Sequence, residues 1–276
     1  MAAKSIIKPN PIIDVNLGQW MNRLVIGHPV TGLVRIEWVM GRFGQTIPCN
    51  WSHIDIVQFM SPMVPLKYQV ADAQNLICRA VVESGAQWML SWEHDNIPSP
   101  DALVKLNQYM LKGGIPVVSG LYFTKSDPPE PMVYRGVGNS YFQDWRLGDK
   151  VWCSGIPMGF TLISGALIRE MWKDSPEYIV NNQVTRRVFD TPSASWSDPE
   201  NGAYMQKSGT SDLAWCDRVV KGEYLRKAGF PKIQRMRYPF LVDTSIFVTH
   251  IDNDGVQWPK DMPARFKPNG KAREIK

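Results

Sequence analysis

The sequence predicts an α/β fold with a mostly parallel central sheet flanked by helices, in a single large domain. Three observations carry this reading. The chain has 276 residues, enough for one large core. Between residues 70 and 123, helical periods alternate with short apolar runs, the order of a βαβ unit with a right-handed crossover. No internal repeat of about 20–50 residues is present, which sets solenoids and propellers aside.

The first strand is read at "RLVIGHPV" (23–30), an apolar run ended by Gly27, His28 and Pro29. "RIEWVMGRF" follows as a helix, with Ile36, Val39 and Met40 on one face. "HIDIVQFM" (53–60) alternates loosely and reads as a second strand. "VADAQNLICRAVVESG" (70–85) is a helix with the stripe Leu76, Ile77, Ala80 and Val81, and Gly85 is placed for a C-cap. "QWMLSW" (87–92) is a strand. Ser99 as N-cap, Pro100 at the first helical position and Asp101 in the first turn then open a helix with the face Leu103, Leu106 and Met110. It stops at Gly113-Gly114, and "IPVVSGLYF" (115–123) is the next strand.

The second half is less regular. "PMGFTLISGALIREMWK" (157–173) reads as a strand running into a helix, residues 180–210 as a long loop, and "SDLAWCDRVVKGEYL" (211–225) as a helix. "DTSIFVTHID" (243–252) is a strand whose polar end carries His250 and Asp252.

Composition narrows the function classes. With 44% hydrophobic and 21% charged residues the chain is not intrinsically disordered. No run approaches the roughly 18 apolar residues of a transmembrane segment. "MAAKSIIKPNPIIDV" has neither a long apolar core nor a small-residue cleavage site, so no signal peptide is expected. Cys49, Cys78, Cys153 and Cys216 form no Cys-x-x-Cys pair, which fits free thiols and a cytoplasmic location. Of the net charge of +5, residues 256–276 supply +4, from six Lys or Arg against two acids. Such a basic tail is either a solvated end or a contact for an anionic partner such as nucleic acid or a membrane surface.

In open parallel sheets, ligands bind beyond the carboxyl ends of the strands. Glu93-His94-Asp95 stand at one such end and Thr124-Lys125-Ser126 at the next. Two carboxylates one residue apart can turn into one small volume. Mg²⁺ and Mn²⁺ take carboxylate oxygens together with phosphates and water, and an imidazole in the set favours Mn²⁺. The same pair is also the composition of an ordinary solvated turn. His250 is a metal ligand or a hydrogen-bonded strand residue, depending on whether the chain brings it to Asp95. Asp212 is a helix-start acid or a general base able to reach a substrate hydroxyl.

Six stretches in order resemble the GT-A glycosyltransferases, in particular the inverting, family 2-like enzymes of bacteria and phages. They are "LVIGHPVTG", "VADAQNLICRAVVESGAQWMLSWEHDNIPSPDALVKL", "VVSGLYFTKSDPPEPMVYR", "PMGFTLISGALIREM", "SDLAWCDRVVKGEYL" and "FVTHID", spanning about residues 22–252. The resemblance implies a Rossmann-like GT-A sheet and a metal-dependent transfer of sugar from a UDP- or GDP-linked donor to an acceptor hydroxyl, with inversion. Asp95 matches the principal ligand of the Asp-x-Asp motif and Glu93 its first position, on metal or donor. His250 matches a late His that completes the Mn²⁺ or Mg²⁺ site, and Asp212 matches the catalytic base. Pro29, Asn75, Gly120 and Tyr122 fall on the donor side, Met158-Gly159-Phe160 on the acceptor side, and Gln74 replaces an Arg. The resemblance divides the chain into an extension (1–20), a nucleotide-sugar-binding half (21–125), an acceptor-binding and catalytic half (126–255) and the basic tail (256–276). The 180–210 loop would serve as a lid, and Trp152, Trp172, Trp196 and Trp215 offer flat faces for sugars or bases, although Trp is more often core.

The acceptor is a glycan, a small molecule or a hydroxylated base in modified DNA, the last suited to the basic tail. A nucleotidyltransferase on a similar scaffold is a further reading, for which "GHPVTGLVR" offers a thin phosphate loop. A non-catalytic sugar-binding module is a third.

Overall fold

The runs LVIG, WMLSW, VVSGL and FTLIS contain no charged residue. All four are fully buried strands in the computed structural model, which describes residues 24–136, 141–197 and 204–260. They are β1 (Leu24–Gly27), β2 (Trp88–Trp92), β4 (Val117–Leu121) and β6 (Phe160–Ser164), joined by β3 (Asn96–Pro98), β5 (Lys150–Cys153), β11 (Phe240–Ile251) and β12 (Gln257–Trp258) in one sheet. Its path is β1-β2-β6-β4-β11-β12, with β3 and β5 also paired to β11. Strands β1, β2, β4 and β11 share one direction, and β6 runs against its neighbours β2 and β4. The predicted βαβ unit is therefore opened: β2 and β4 are parallel, but β6 lies between them.

Alternate residues go to opposite faces, as the strand period requires. Val25, Met89, Val117 and Ile163 join one core with α3 (Val70–Ser84), α5 (Gly165–Lys173) and α6 (Ser211–Lys221). Leu24, Ile26, Leu90, Val118 and Leu162 join the other with α4 (Ala102–Lys112). Helices on both faces explain why these strands read as unbroken apolar runs. With α1 (Ile36–Phe43), α2 (His53–Met60), α7 (Tyr224–Lys227) and α8 (Pro231–Gln234), the described residues hold eight helices and form one mixed α/β domain. None of them is long and apolar enough to cross a membrane.

Four sequence expectations are corrected. Residues 53–60 are helix α2, not a strand. Ser52 caps it, its Oγ accepting from the Asp55 N–H at 3.1 Å while the Asp55 carboxylate accepts from the Ser52 N–H, so a capping box outweighed a loose alternation. Helix α4 starts at Ala102 after Asp101, because Ser99 and Pro100 form the preceding turn, where the Ala102 N–H reaches the Ser99 carbonyl. The 180–210 stretch is not a plain loop. It contains part of the hairpin β7 (Glu177–Val180) to β8 (Gln183–Arg186), turned by Asn181 and Asn182 at φ 45° and 61°, and the pair β9 (Ser193–Ser197) and β10 (Tyr204–Ser208). The first hairpin is no lid either. Tyr178 donates to Asp72, Arg79 to the Val184 carbonyl, and Arg218 to the carbonyls of Arg187 and Val188, which fasten it to α3 and α6. Trp215 is core, stacked on Phe189 at 5.4 Å. The cysteines are free, with Cys49 alone exposed. The 1–20 extension and residues 261–276 of the basic tail lie outside the described residues.

At the end of β1, His28 is buried and its protonation is set by its neighbours. Its Nδ1–H donates to the Trp92 carbonyl at 2.7 Å, and its Nε2 accepts from Arg42 Nε at 3.0 Å, so the ring is the neutral Nδ1–H tautomer. Burial, then the charges of Arg42 and His94, outweigh the Trp92 bond and lower its pKa from 6.5 to about 3. The unfolded chain therefore binds this proton below about pH 6.5 and the folded chain only near pH 3. Stability should fall as pH drops through that window, by up to about 1.4 kcal/mol per pH unit. His28→Asn, which keeps an N–H for Trp92 and cannot titrate, should be less stable near neutrality and flatter in its denaturant midpoint between those pH values. An equally steep profile would assign the acid lability elsewhere.

Candidate functional site

The acid turn Glu93-His94-Asp95 is built on an aromatic floor. Trp92 is fully buried, with ring centroids 5.3 Å from His28, 6.2 Å from Trp38 and 5.2 Å from Phe160. Its Nε1–H donates across the turn to the Asn96 carbonyl at 2.9 Å. The Glu93 N–H donates to the Gly159 carbonyl, and its own carbonyl accepts from Trp38 Nε1 at 3.0 Å. Beyond the turn, β3 pairs antiparallel with β11 in the register Asn96 opposite His250, and the Ile251 N–H donates to the Asp95 carbonyl.

That register brings Asp95 to His250. Asp95 Oδ2 lies 3.1 Å from His250 Nε2 and accepts from Lys125 Nζ at 2.7 Å, while Oδ1 accepts from Asn96 Nδ2 at 2.8 Å. His250 Nδ1 lies 2.9 Å from the Phe123 carbonyl, which fixes the ring with Nε2 towards the carboxylate. Burial pulls the Asp95 carboxyl upward, but the bonds and charges of His250 and Lys125 prevail and hold it well below the usual carboxylate range.

Asp212, in the first turn of α6, has the opposite balance. Its Oδ2 accepts from the Met158 N–H at 3.0 Å and its Oδ1 from Ser211 Oγ at 3.1 Å. Buried Gln74 lies beside it and also pulls it downward, although neither Gln74 amide atom makes a hydrogen bond of ordinary geometry. Burial outweighs all three and raises the Asp212 pKa. Glu93 lies within electrostatic reach of both: burial, then Asp95 and Asp212, push it well above its ordinary value against Lys125. Tyr122 shares this space. Its phenol oxygen accepts from the Gly159 N–H at 2.6 Å, and burial, Glu93 and Asp212 keep it un-ionised.

The structure thus gathers Glu93, Asp95, Tyr122, Asp212 and His250, and separates the other residues expected here. Asn75 is buried with both amide hydrogens given to Tyr178 Oη and the Phe189 carbonyl and its Oδ1 taken by the Phe189 N–H, so it fastens the hairpin. A Cβ on Gly120 would meet Val248 Cγ2 at 2.8 Å and the Ile246 carbonyl at 2.9 Å, so this glycine admits the irregular passage of β11 over β4. Pro29 is buried and its carbonyl accepts from His94 Nδ1 at 3.0 Å. His94 Nε2 lies 3.1 Å from Thr31 Oγ1, so His94, which sequence alone left without a role, ties the loop after β1 to the acid turn. Met158 and Phe160 are core side chains and offer an acceptor only backbone.

Lys125 is the residue that sequence reasoning missed as a partner of Asp95, whereas Gly159, expected on the acceptor side, serves through its backbone N–H to Tyr122 and its carbonyl to Glu93. Lys125 was legible as a strand-end residue, but no signal aimed it at Asp95. Among the described residues, no group of three or more His, Cys, Asp or Glu is arranged to hold a metal ion. A separate cleft, lined by Gln108, Tyr109, Lys112, Ile115 and Lys150, adjoins the other end of β4.

No family model matches the sequence, and no curated protein is significantly similar to it. Among solved structures the chain is similar to A197 from STIV, with a TM-score of 0.47 and 13% identity over 85% of this chain and 88% of that one. A likeness of that size says nothing about reaction or site.

Gly159 is where the site has no room. A Cβ there would lie 2.5 Å from Asn96 Nδ2 and 2.6 Å from Tyr122 Oη. Gly159→Ala should cost about 1–3 kcal/mol in denaturant unfolding and displace the Tyr122 hydroxyl, visible in a crystal structure of the variant. An unchanged midpoint would show that the turn relaxes freely.

Proposed function

We propose that the chain is a glycosyltransferase moving a sugar from a nucleotide-diphospho-sugar donor to an acceptor hydroxyl, with Asp212 as general base. The observation that carries this reading is a pair of carboxylates in one site whose surroundings push them in opposite directions. Asp95 is held ionised by Lys125 and His250, whereas Asp212 is raised by burial. Such a split assigns separate roles to two like groups. A raised carboxylate suits proton abstraction, and a strongly ionised one suits cation binding.

Asp95 and His250 would hold a divalent cation. They fit one: the His250 ring is braced through Nδ1 by a backbone carbonyl, leaving Nε2 and a carboxylate oxygen facing each other. Two protein ligands suffice where diphosphate oxygens and water complete the shell of Mg²⁺ or Mn²⁺. When bound, the cation supplies positive charge to the diphosphate leaving group. Lys125 adds a second positive charge on that side. As the acceptor oxygen bonds to the anomeric carbon, Asp212 takes its proton, and the bond from that carbon to the diphosphate oxygen breaks with its electron pair leaving on the diphosphate. Attack from the face opposite the leaving group gives inversion.

Thermal stabilisation by UDP- and GDP-sugars with Mn²⁺ should identify the donor. Asp95→Ala should abolish the Mn²⁺-dependent part of that shift and His250→Ala should weaken it. A shift unchanged in Asp95→Ala would remove the metal assignment. Asp212→Asn should retain donor binding while transfer falls by about 10²–10⁴-fold. Retained transfer would exclude it as the base.

A further inference from the structure

The cleft at the other end of β4 collects positive charge that its own walls leave unspent. It holds about 270 Å³ and is lined by Gln108, Tyr109 and Lys112 of α4, by Gly114 and Ile115 just after that helix, and by Lys150 at the start of β5. Gln108 and Lys112 stand four residues apart and so share one face of α4. No Asp or Glu is among the lining residues.

The pairing of β5 with β11 explains why Lys150 is free. The register sets Lys150 directly opposite Asp243, and opposed side chains lie on the same face of a sheet. A cross-strand ion pair would be the ordinary outcome, but the Asp243 carboxylate is already taken. Its Oδ2 accepts from the Tyr109 hydroxyl at 2.6 Å, and its Oδ1 accepts from the Ser245 N–H at 3.0 Å and from Ser245 Oγ at 2.6 Å. Asp243 is buried, and Lys150 Nζ lies over the Tyr109 ring, 5.3 Å from its centroid. Among the described residues neither Lys112 nor Lys150 makes an ion pair or a hydrogen bond through its ammonium group, and the Gln108 amide is also unbonded. Lys105, two turns earlier on α4, is by contrast fully engaged, with Asp101 at 2.8 Å and the Ser245 carbonyl at 2.6 Å. Lys112 stands at the carbonyl end of α4, where a cation is favoured without any ligand. Lys150 has no such reason to be there.

We infer that this cleft binds a phosphate group, either free or as the monoester of a small molecule. Its walls offer two ammonium groups and an amide NH₂ as donors, enough for several oxygens of one dianion. Lysine meets phosphate as a point charge from any side, whereas planar carboxylates are matched better by the fork of arginine. The Tyr109 ring and Ile115 add an apolar wall for a short organic part. The volume falls just below the ~300–1,000 Å³ of pockets for drug-sized ligands, so a nucleotide sugar is too large for it. The site shares no residue with the acid turn and does not rest on the proposed transfer reaction.

Isothermal titration calorimetry of the full chain with inorganic phosphate and with phenyl phosphate tests this, in EDTA and at constant ionic strength. EDTA keeps divalent cations away from Asp95 and His250. Each anion should bind saturably, and Lys150→Ala should raise the dissociation constant at least about tenfold. Lys150→Arg, which keeps the charge, should recover most of the affinity, and Lys125→Ala should leave it unchanged. Tighter binding of phenyl phosphate assigns the cleft to a phosphomonoester, and equal affinities assign it to free phosphate. Lys150 is exposed, so the Lys150→Ala circular dichroism spectrum and melting temperature should match the wild type. If they do not, Lys112→Gln is read in its place. No heat of binding up to about 10 mM of either anion would overturn the inference. So would binding that Lys125→Ala abolishes, which moves the anion to the acid turn, or binding that neither Lys150→Ala nor Lys112→Gln weakens.

Discussion

The meeting of Asp95 with His250 depends on the register in which the three-residue β3 pairs with β11. With Asn96 opposite His250, the Asp95 carbonyl receives the Ile251 N–H and its carboxylate meets the imidazole. A one-residue slip would turn His250 to the other face of the strand and leave Asp95 with Lys125 alone. β11 can hold this register because its first residues are already fixed between β4 and β5, and the irregularity between Asp243 and Phe247 re-aims the rest of the strand. One strand thus serves the core at one end and the cluster at the other.

The cluster is an electrostatic compromise. Glu93, Asp95 and Asp212 would repel one another as three bare anions in a partly buried space. Lys125 and His250 both bond to the Asp95 carboxylate, whereas Glu93 feels Lys125 only through its charge. Asp212 is left with hydrogen bonds from Met158 and Ser211 and with the weakly engaged Gln74, and Glu93 with little but its neighbours' charges. Unequal compensation, rather than the mere presence of acids, separates these side chains chemically.

Much of this was legible in the sequence. Charge-free apolar runs gave the four central strands, since burial on both faces leaves no room for polar alternation. Asp95, His250 and Asp212 could be named because strand ends and helix starts are where a fold exposes side chains to a shared space. Their convergence was not legible, because it depends on a pairing between residues about 150 positions apart, to which local pattern is blind. Asn75 and Gly120 show the converse. Each looked like a ligand contact by position, yet a hairpin anchor and a crossing strand use them up. Helix α2 was misread although Ser52 and Asp55 announced its cap, because an outward apolar stripe imitates a strand when no partner is in view.

Helix α1 has a mechanical consequence. It is only eight residues long, and through Trp38 its inner side bonds to the carbonyl of Glu93, while it packs against β3. Its outer side carries the exposed Ile36, Met40 and Phe43. Little more than one helix diameter therefore separates the molecular surface from the backbone of the acid turn. The backbone of Glu93 is thus held from two sides, its carbonyl by α1 through Trp38 and its N–H by the Gly159 carbonyl of the turn before β6.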